Sequence, residues 1–143
     1  MRSIANLIFI DTGVWIGAFV KRDQYHKKAK SIINWVNSQN KYKIIVTNLI
    51  MAEVANFLKR KNYGTPARKI VEIFNTDEKI DLYFDDEKMS EITVHLFNQY
   101  DRLSYVDANS IAFYWKLKCA YIFSFDSDFD GIRDIKRLEN VPD

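Results

Sequence analysis

Glycine, proline, cysteine and histidine are all scarce in this 143-residue chain: four glycines, two prolines, one cysteine and two histidines. So few glycines and prolines leave no linker-like stretch, low-complexity tract or repeat, and one domain over residues 1–143 is the economical expectation. Cys119 has no partner for an internal disulfide, which fits a reducing cytosol and a small buried hydrophobe. His26 and His95 are far apart and isolated, so no zinc site is expected. No Ser/His or Cys/His pattern suggests a covalent hydrolase. No run approaches the roughly 20 apolar residues that span a bilayer. The first apolar stretch is short, ends at Asp11 and lacks a small-residue cleavage pattern, so no secretory signal is expected. A soluble, cytoplasmic protein with no membrane partner follows as the expectation.

Apolar and aromatic residues are plentiful, at 48% and 15% of the chain. That excludes a disordered chain, and the length suffices for a core without staples. Residues 6–10 form a continuous apolar run, as a strand buried on both faces requires. Lys43 to Thr47 and Ala120 to Phe125 read similarly, Ile80 to Phe84 is a shorter candidate, and Ile135 to Leu138 a weak edge strand. Helical spacing appears at Tyr25, Ala29, Ile32, Ile33 and Val36, at Ile50, Val54, Phe57 and Leu58, and at Met89, Ile92, Leu96 and Tyr100. A further helix after Ser104 is marked by Ile111, Tyr114 and Leu117. Another starts near Thr65-Pro66 and carries Ile70, Val71 and Phe74. Strands alternating with helices predict an α/β domain with a mainly parallel sheet, whose sites lie beyond the strand carboxyl ends.

Carboxylates stand at those places. Asp11 closes the first strand, Asp126 closes the Ala120 to Phe125 segment, Glu53 borders an apolar helix stripe, and Asp107 sits three residues after Ser104. Each has an ordinary structural explanation: a loop or N-cap aspartate with Thr12-Gly13 permitting a close turn, a first-turn glutamate, a capping box. Isolated buried charges are costly, and like charges gathered at close range need a cation. Oxygen ligands suit a hard divalent ion. If five acidic groups, Asp11, Glu53, Asp107, Asp126 and Asp128, were neutralised in this way, the formal charge of +2 would become +7 on the remaining surface. That would be an outer field fit for a polyanion. The clusters Lys27-Lys28-Lys30, Lys59-Arg60-Lys61 and Arg133-Lys136-Arg137 offer phosphate contacts or solvated helix faces.

The run Asp126-Ser127-Asp128-Phe129-Asp130-Gly131 opens like a calcium-binding loop. Its twelfth position is Arg137 where a bidentate glutamate is needed, and a strand precedes it where that motif has a helix. Asp130 and Gly131 read better as turn residues. The paired aspartates also differ from those of aspartyl-phosphate phosphatases, which follow a first strand and continue to a threonine.

In order along the chain, Phe9-Ile10-Asp11-Thr12-Gly13-Val14-Trp15-Ile16, Thr47-Asn48-Leu49-Ile50-Met51-Ala52-Glu53-Val54, Leu103-Ser104-Tyr105-Val106-Asp107-Ala108 and Phe123-Ser124-Phe125-Asp126-Ser127-Asp128-Phe129 resemble the PIN-domain nucleases. The similarity is greatest to VapC-like toxin ribonucleases of type II toxin–antitoxin pairs. The resemblance implies a three-layer α/β/α fold and an Mg²⁺ or Mn²⁺ site. It assigns the acidic cluster to Asp11, Glu53, Asp107 and Asp126, with Asp128 auxiliary and Thr12 and Ser124 supporting. Such a metal polarises a phosphodiester and activates water for in-line attack, whether one ion or two is used. The expected activity is endoribonuclease; the expected partners are RNA, a cognate antitoxin and a second copy. A housekeeping RNA-processing nuclease and a noncatalytic binding module of the same fold are the alternatives. Trp15, Tyr25, Tyr105 and Phe129 are candidate base-stacking aromatics, and Trp35 a candidate interface residue.

Overall fold

The protein was examined as a computed structural model, which describes residues 6–142. The ends of the expected 1–143 domain, residues 1–5 and 143, lie outside the described residues. The elements run β1 (Asn6–Ile10), α1 (Thr12–Phe19), α2 (His26–Ser38), β2 (Tyr42–Thr47), α3 (Asn48–Arg60), α4 (Gly64–Thr76) and β3 (Ile80–Tyr83). They continue through α5 (Glu87–Gln99), α6 (Tyr105–Leu117), β4 (Tyr121–Phe123), a 3₁₀ turn at Ser127–Phe129 and β5 (Arg137–Leu138). The five strands form one sheet in the order β3-β2-β1-β4-β5, and every pairing is parallel.

Register places Ile8 opposite both Ile44 and Tyr121, so β1 is central and buried on both faces. Ile8, Phe9 and Ile10 are inaccessible to solvent, as continuous apolar strands in a covered sheet must be. From β1 the chain moves outward through β2 to β3, then crosses to β4 on the other side. The right-handed crossover rule sets α1 to α4 on one face and α5 and α6 on the other, giving the expected α/β/α layers. Direction reverses between β1 and β4, the switch point where sheets of this kind form their crevice.

Side-chain caps fix three helix starts that matter below. Thr47 Oγ1 accepts from the Ile50 amide at α3, Asp86 Oδ1 accepts from the Met89 amide at α5, and Ser104 Oγ accepts from the Asp107 amide at α6. Helix α6 is buried nearly all round from Ala108 to Tyr114. Cys119 is buried, and burial pushes its thiol up to about 12, consistent with an inert packing role.

One expectation needs revision. Thr12-Gly13 does not make a close turn: it opens helix α1 directly after β1. Val14, Trp15, Ile16 and Gly17 are all buried, so this short helix has no polar face. Trp35 is half-buried and packs on Tyr42 and Phe123, with ring centroids 5.5 and 6.1 Å away.

Candidate functional site

The four carboxylates converge because the sheet brings their elements together. The Asp11 amide donates to the Phe123 carbonyl at 3.0 Å, locking the end of β1 to the end of β4. Asp11 occupies the N-cap position of α1, yet its carboxylate makes no cap bond. Instead Ser124 Oγ donates to Asp11 Oδ2 at 2.8 Å. The same Oγ accepts from the Asp126 amide at 3.0 Å, and Asp126 Oδ1 accepts from the Asp128 amide at 2.9 Å. A fully buried serine thus connects Asp11 to the acidic loop.

Asp107 arrives from the other face of the sheet. Its Oδ2 accepts from the Ser104 amide at 3.2 Å while its own amide donates to Ser104 Oγ at 3.0 Å. The capping box and the site placement therefore both hold, because the cap fixes the carboxylate at the helix mouth. Glu53, in the second turn of α3, is exposed. Asp11, Thr12, Glu53, Asp107, Asp126 and Asp128 all line one cleft of about 710 Å³.

Charge in this cleft is undercompensated. Burial, followed by the negative charge of Asp107, pushes Asp11 up to about 7 despite the Ser124 bond. Burial also raises Asp107 to about 6, against the opposing effect of its Ser104 hydrogen bonds. Asp126 and Glu53 add smaller upward contributions there. Beside Asp11, the buried Thr12 Oγ1 has no hydrogen-bond partner among the described residues. An acidic, all-oxygen donor set with an unpaired hydroxyl fits a hard divalent cation in kind. It is not a closed cage: among the described residues, no three His, Cys, Asp or Glu side chains stand close enough to share one ion. Sharing would require the carboxylates to draw nearer than they stand.

Two arginines brace the acidic loop. Arg137 forks onto Asp130, Nε to Oδ1 at 2.8 Å and Nη2 to Oδ2 at 3.0 Å, and its Nη1 reaches the Ser124 carbonyl at 3.1 Å and Glu139 at 3.2 Å. Asp130 accordingly lies below its ordinary carboxylate value, held there chiefly by the Arg137 hydrogen bonds. Arg102 lines the cleft and donates to the Asp128 carbonyl at 3.0 Å and the Asp130 carbonyl at 2.7 Å. Sequence reasoning missed Arg102 because its partners lie 26 and 28 residues away. Asp130 and Gly131 do serve as turn residues, the glycine with φ +81°.

The other candidates divide. Trp15 and Phe129 are core residues, with Trp15 Nε1 donating to the Ile10 carbonyl at 3.1 Å. Tyr105 is exposed but packs on Phe97 outside the cleft lining. Tyr25 lines the cleft, together with Phe125, which the sequence did not single out. In the cluster Arg133-Lys136-Arg137, Arg133 lies over Trp115, Lys136 over Tyr121, and Arg137 is in the fork. Lys59 and Arg60 occupy the last turn of α3, where the helix dipole favours cations.

The family profile described as PIN domain matches residues 8–135. No curated protein is similar enough to match. Among solved structures, the chain is similar to VapC20 of Mycobacterium tuberculosis, described as a sarcin–ricin loop cleaving toxin. Identity is 23% over 85% of this chain and 92% of that one, with a TM-score of 0.75. A toxin–antitoxin complex from Klebsiella pneumoniae is 18% identical over 94% of this chain and 99% of that one, TM-score 0.65. VapBC2 from Rickettsia felis, bound to a DNA fragment from its promoter, is 10% identical over 92% and 97%, TM-score 0.68. At these identities the likeness concerns the fold.

Proposed function

The chain belongs to the PIN-domain family, and from that premise we propose that it is a metal-dependent endoribonuclease acting as the toxin of a toxin–antitoxin pair. One observation carries the reading: Asp11, Glu53, Asp107, Asp126 and Asp128, from four separate segments, line a single cleft at the switch point, two of them raised by burial and crowding. Mg²⁺ or Mn²⁺ bound there would polarise a phosphodiester and lower the pKa of a water poised for in-line attack. Asp11, Asp107 and Asp126 are the main ligands in this reading, and Asp128 is auxiliary. Glu53, exposed at the rim, orients water. Ser124 holds Asp11 and the Asp126 amide in register, and Thr12 offers its unpaired hydroxyl beside them. Arg102 and Arg137 keep the loop from drifting under the repulsion of its own charges.

The partners follow from the same reading. RNA is the substrate, and a small antitoxin covers the cleft, as the description of the Klebsiella structure as a toxin–antitoxin complex encourages. A homodimer in the cytoplasm completes it; sedimentation of the purified chain tests the dimer.

The decisive experiment is cleavage profiling of total cellular RNA after brief expression of wild type and Asp107→Asn, with a sarcin–ricin loop hairpin as a defined companion substrate. Metal-dependent cuts that chelator abolishes and the variant lacks are expected. Equal cutting by the variant would trace the activity to a contaminant and end the assignment. Suppression of the cutting by the product of an adjacent short reading frame is the test of the toxin role.

A further inference from the structure

The acidic cleft has one wall of a different character. Phe125, immediately before Asp126, stacks on Tyr25 with ring centroids 4.3 Å apart and planes 16° from parallel. Both rings line the cleft. Phe125 is half-buried against the core, whereas Tyr25 is 37% exposed, so the pair turns its Tyr25 side outward. Large exposed hydrophobics also occur at Phe84, Ile92, Val94, Phe97 and Tyr105, but of this set Tyr25 alone borders the carboxylates.

The mounting of Tyr25 is rigid. Its amide donates to Asp23 Oδ1 at 2.8 Å, and its carbonyl accepts from the Ala29 amide at 2.8 Å. One residue on, His26 Nδ1 lies 2.7 Å from the Gly17 carbonyl. Any Cβ at Gly17 would stand 3.0 Å from Ala29 Cβ, so α1 and α2 are in backbone-close contact just behind the ring. A flat apolar surface held this firmly, with its inner face already filled, is shaped for a planar ligand on the outer side. Nucleobases meet that description whatever their identity, since each has a π-face, and stacking on aromatics is how unpaired bases are commonly held. A base in a duplex is already covered on both faces and has none to offer.

Resting on the nuclease reading, we propose that Tyr25, backed by Phe125, is the stacking platform that holds one unpaired base of the RNA against the wall beside Asp126, and thereby selects single-stranded over paired segments. The ring positions the neighbouring phosphate over the carboxylates without reading a base edge. Tyr25 is therefore a specificity-determining residue and takes no part in bond breaking.

The test uses the full chain in an Asp107→Asn background with Mg²⁺, so that bound RNA stays intact. Fluorescence anisotropy compares a labelled oligoadenylate of about a dozen nucleotides with an abasic strand of equal length and with a hairpin stem. With Tyr25 present, the oligoadenylate binds about 10-fold or more tighter than either comparator. Tyr25→Leu brings the strands to within about 2-fold, and Tyr25→Phe restores the difference. Thermal melting verifies that each variant is folded. If Tyr25→Leu keeps the preference for bases, the platform assignment falls while the nuclease reading stands. If no strand binds with Tyr25 present, the RNA reading falls and takes the platform with it. Hexa-arginine bound in a Tyr25-dependent way, with bases making no difference, would overturn the proposal in favour of a cationic peptide.

Discussion

Two aspartates at strand carboxyl ends meet opposite fates in this molecule. Asp85, just beyond β3, is surrounded by donors: Asn109 Nδ2 reaches Oδ1 at 3.0 Å, Ser90 Oγ reaches Oδ2 at 2.7 Å, and its own amide donates to Asn48 Oδ1 at 2.8 Å. Asp11, just beyond β1, has one side-chain donor, Ser124, and faces Asp107 and Glu53. The first residue ties α5 and α6 to the end of β3 through its carboxylate and α3 through its amide. The second is left short of partners among other carboxylates, and burial followed by the charge of Asp107 pushes its pKa upward. The same residue type at the same kind of position is thus structural where its oxygens are satisfied and available for chemistry where they are not.

The contrast can be broken at either end. Asp107→Asn, which keeps a capping side chain, is expected to lower RNA cleavage by about 100-fold or more, beyond the 10- to 100-fold typical of outer-shell losses at metal sites, with melting no lower than wild type. Asp85→Ala does the reverse. It strands the buried Asn109 and the Ser90 hydroxyl and destabilises the fold by about 2–4 kcal/mol in urea titrations, while the folded fraction cleaves at close to the wild-type rate. Loss of activity without loss of stability in that variant would erase the distinction.

A pH series sharpens it. Asp11 and Asp107 hold their protons to about 7 and about 6 in the fold, against a reference of 3.8. Between those values the native state binds more protons than the unfolded chain, so their contribution to stability declines as pH rises from about 4 to about 7. For metal-free protein we expect a loss of about 2–4 kcal/mol from Asp11 across that window, absent in Asp11→Asn and reduced by added Mg²⁺. The difference between wild type and variant isolates this from Asp130, whose depressed value acts in the opposite sense. Smaller still, Ser124→Ala removes the donor to Asp11 and the acceptor for the Asp126 amide. Cleavage is expected to fall about 10-fold, with the apparent Mg²⁺ requirement raised.

The sheet was legible because its strands are apolar runs bounded by turns, and the carboxylates were legible because they interrupt those runs. Helix α1 was not. Its Val14, Trp15 and Ile16 are buried on every side, so no polar face imposes a period. Asp85 and Arg102 escaped notice for another reason: their partners are distant in sequence, and nothing local marks them. Aromatics misled in proportion to their burial; Trp15 and Phe129 fill the core, and of the four stacking candidates only Tyr25 reaches the cleft. In the basic cluster Arg133-Lys136-Arg137 each member has a partner within the fold that nothing in the local sequence marks: Arg133 lies over Trp115, Lys136 over Tyr121, and Arg137 pairs with Asp130.

The fork of Arg137 also orders events in time. A growing chain that has reached Phe129 carries Asp11, Glu53, Asp107, Asp126 and Asp128, but the guanidinium that grips Asp130 and the Ser124 carbonyl has not yet been made. Until translation passes that arginine, the acidic loop has no anchor on β5, and repulsion among its own charges works against the assembled cleft. The chain therefore cannot complete the acidic cleft before the strand that holds its loop has been made.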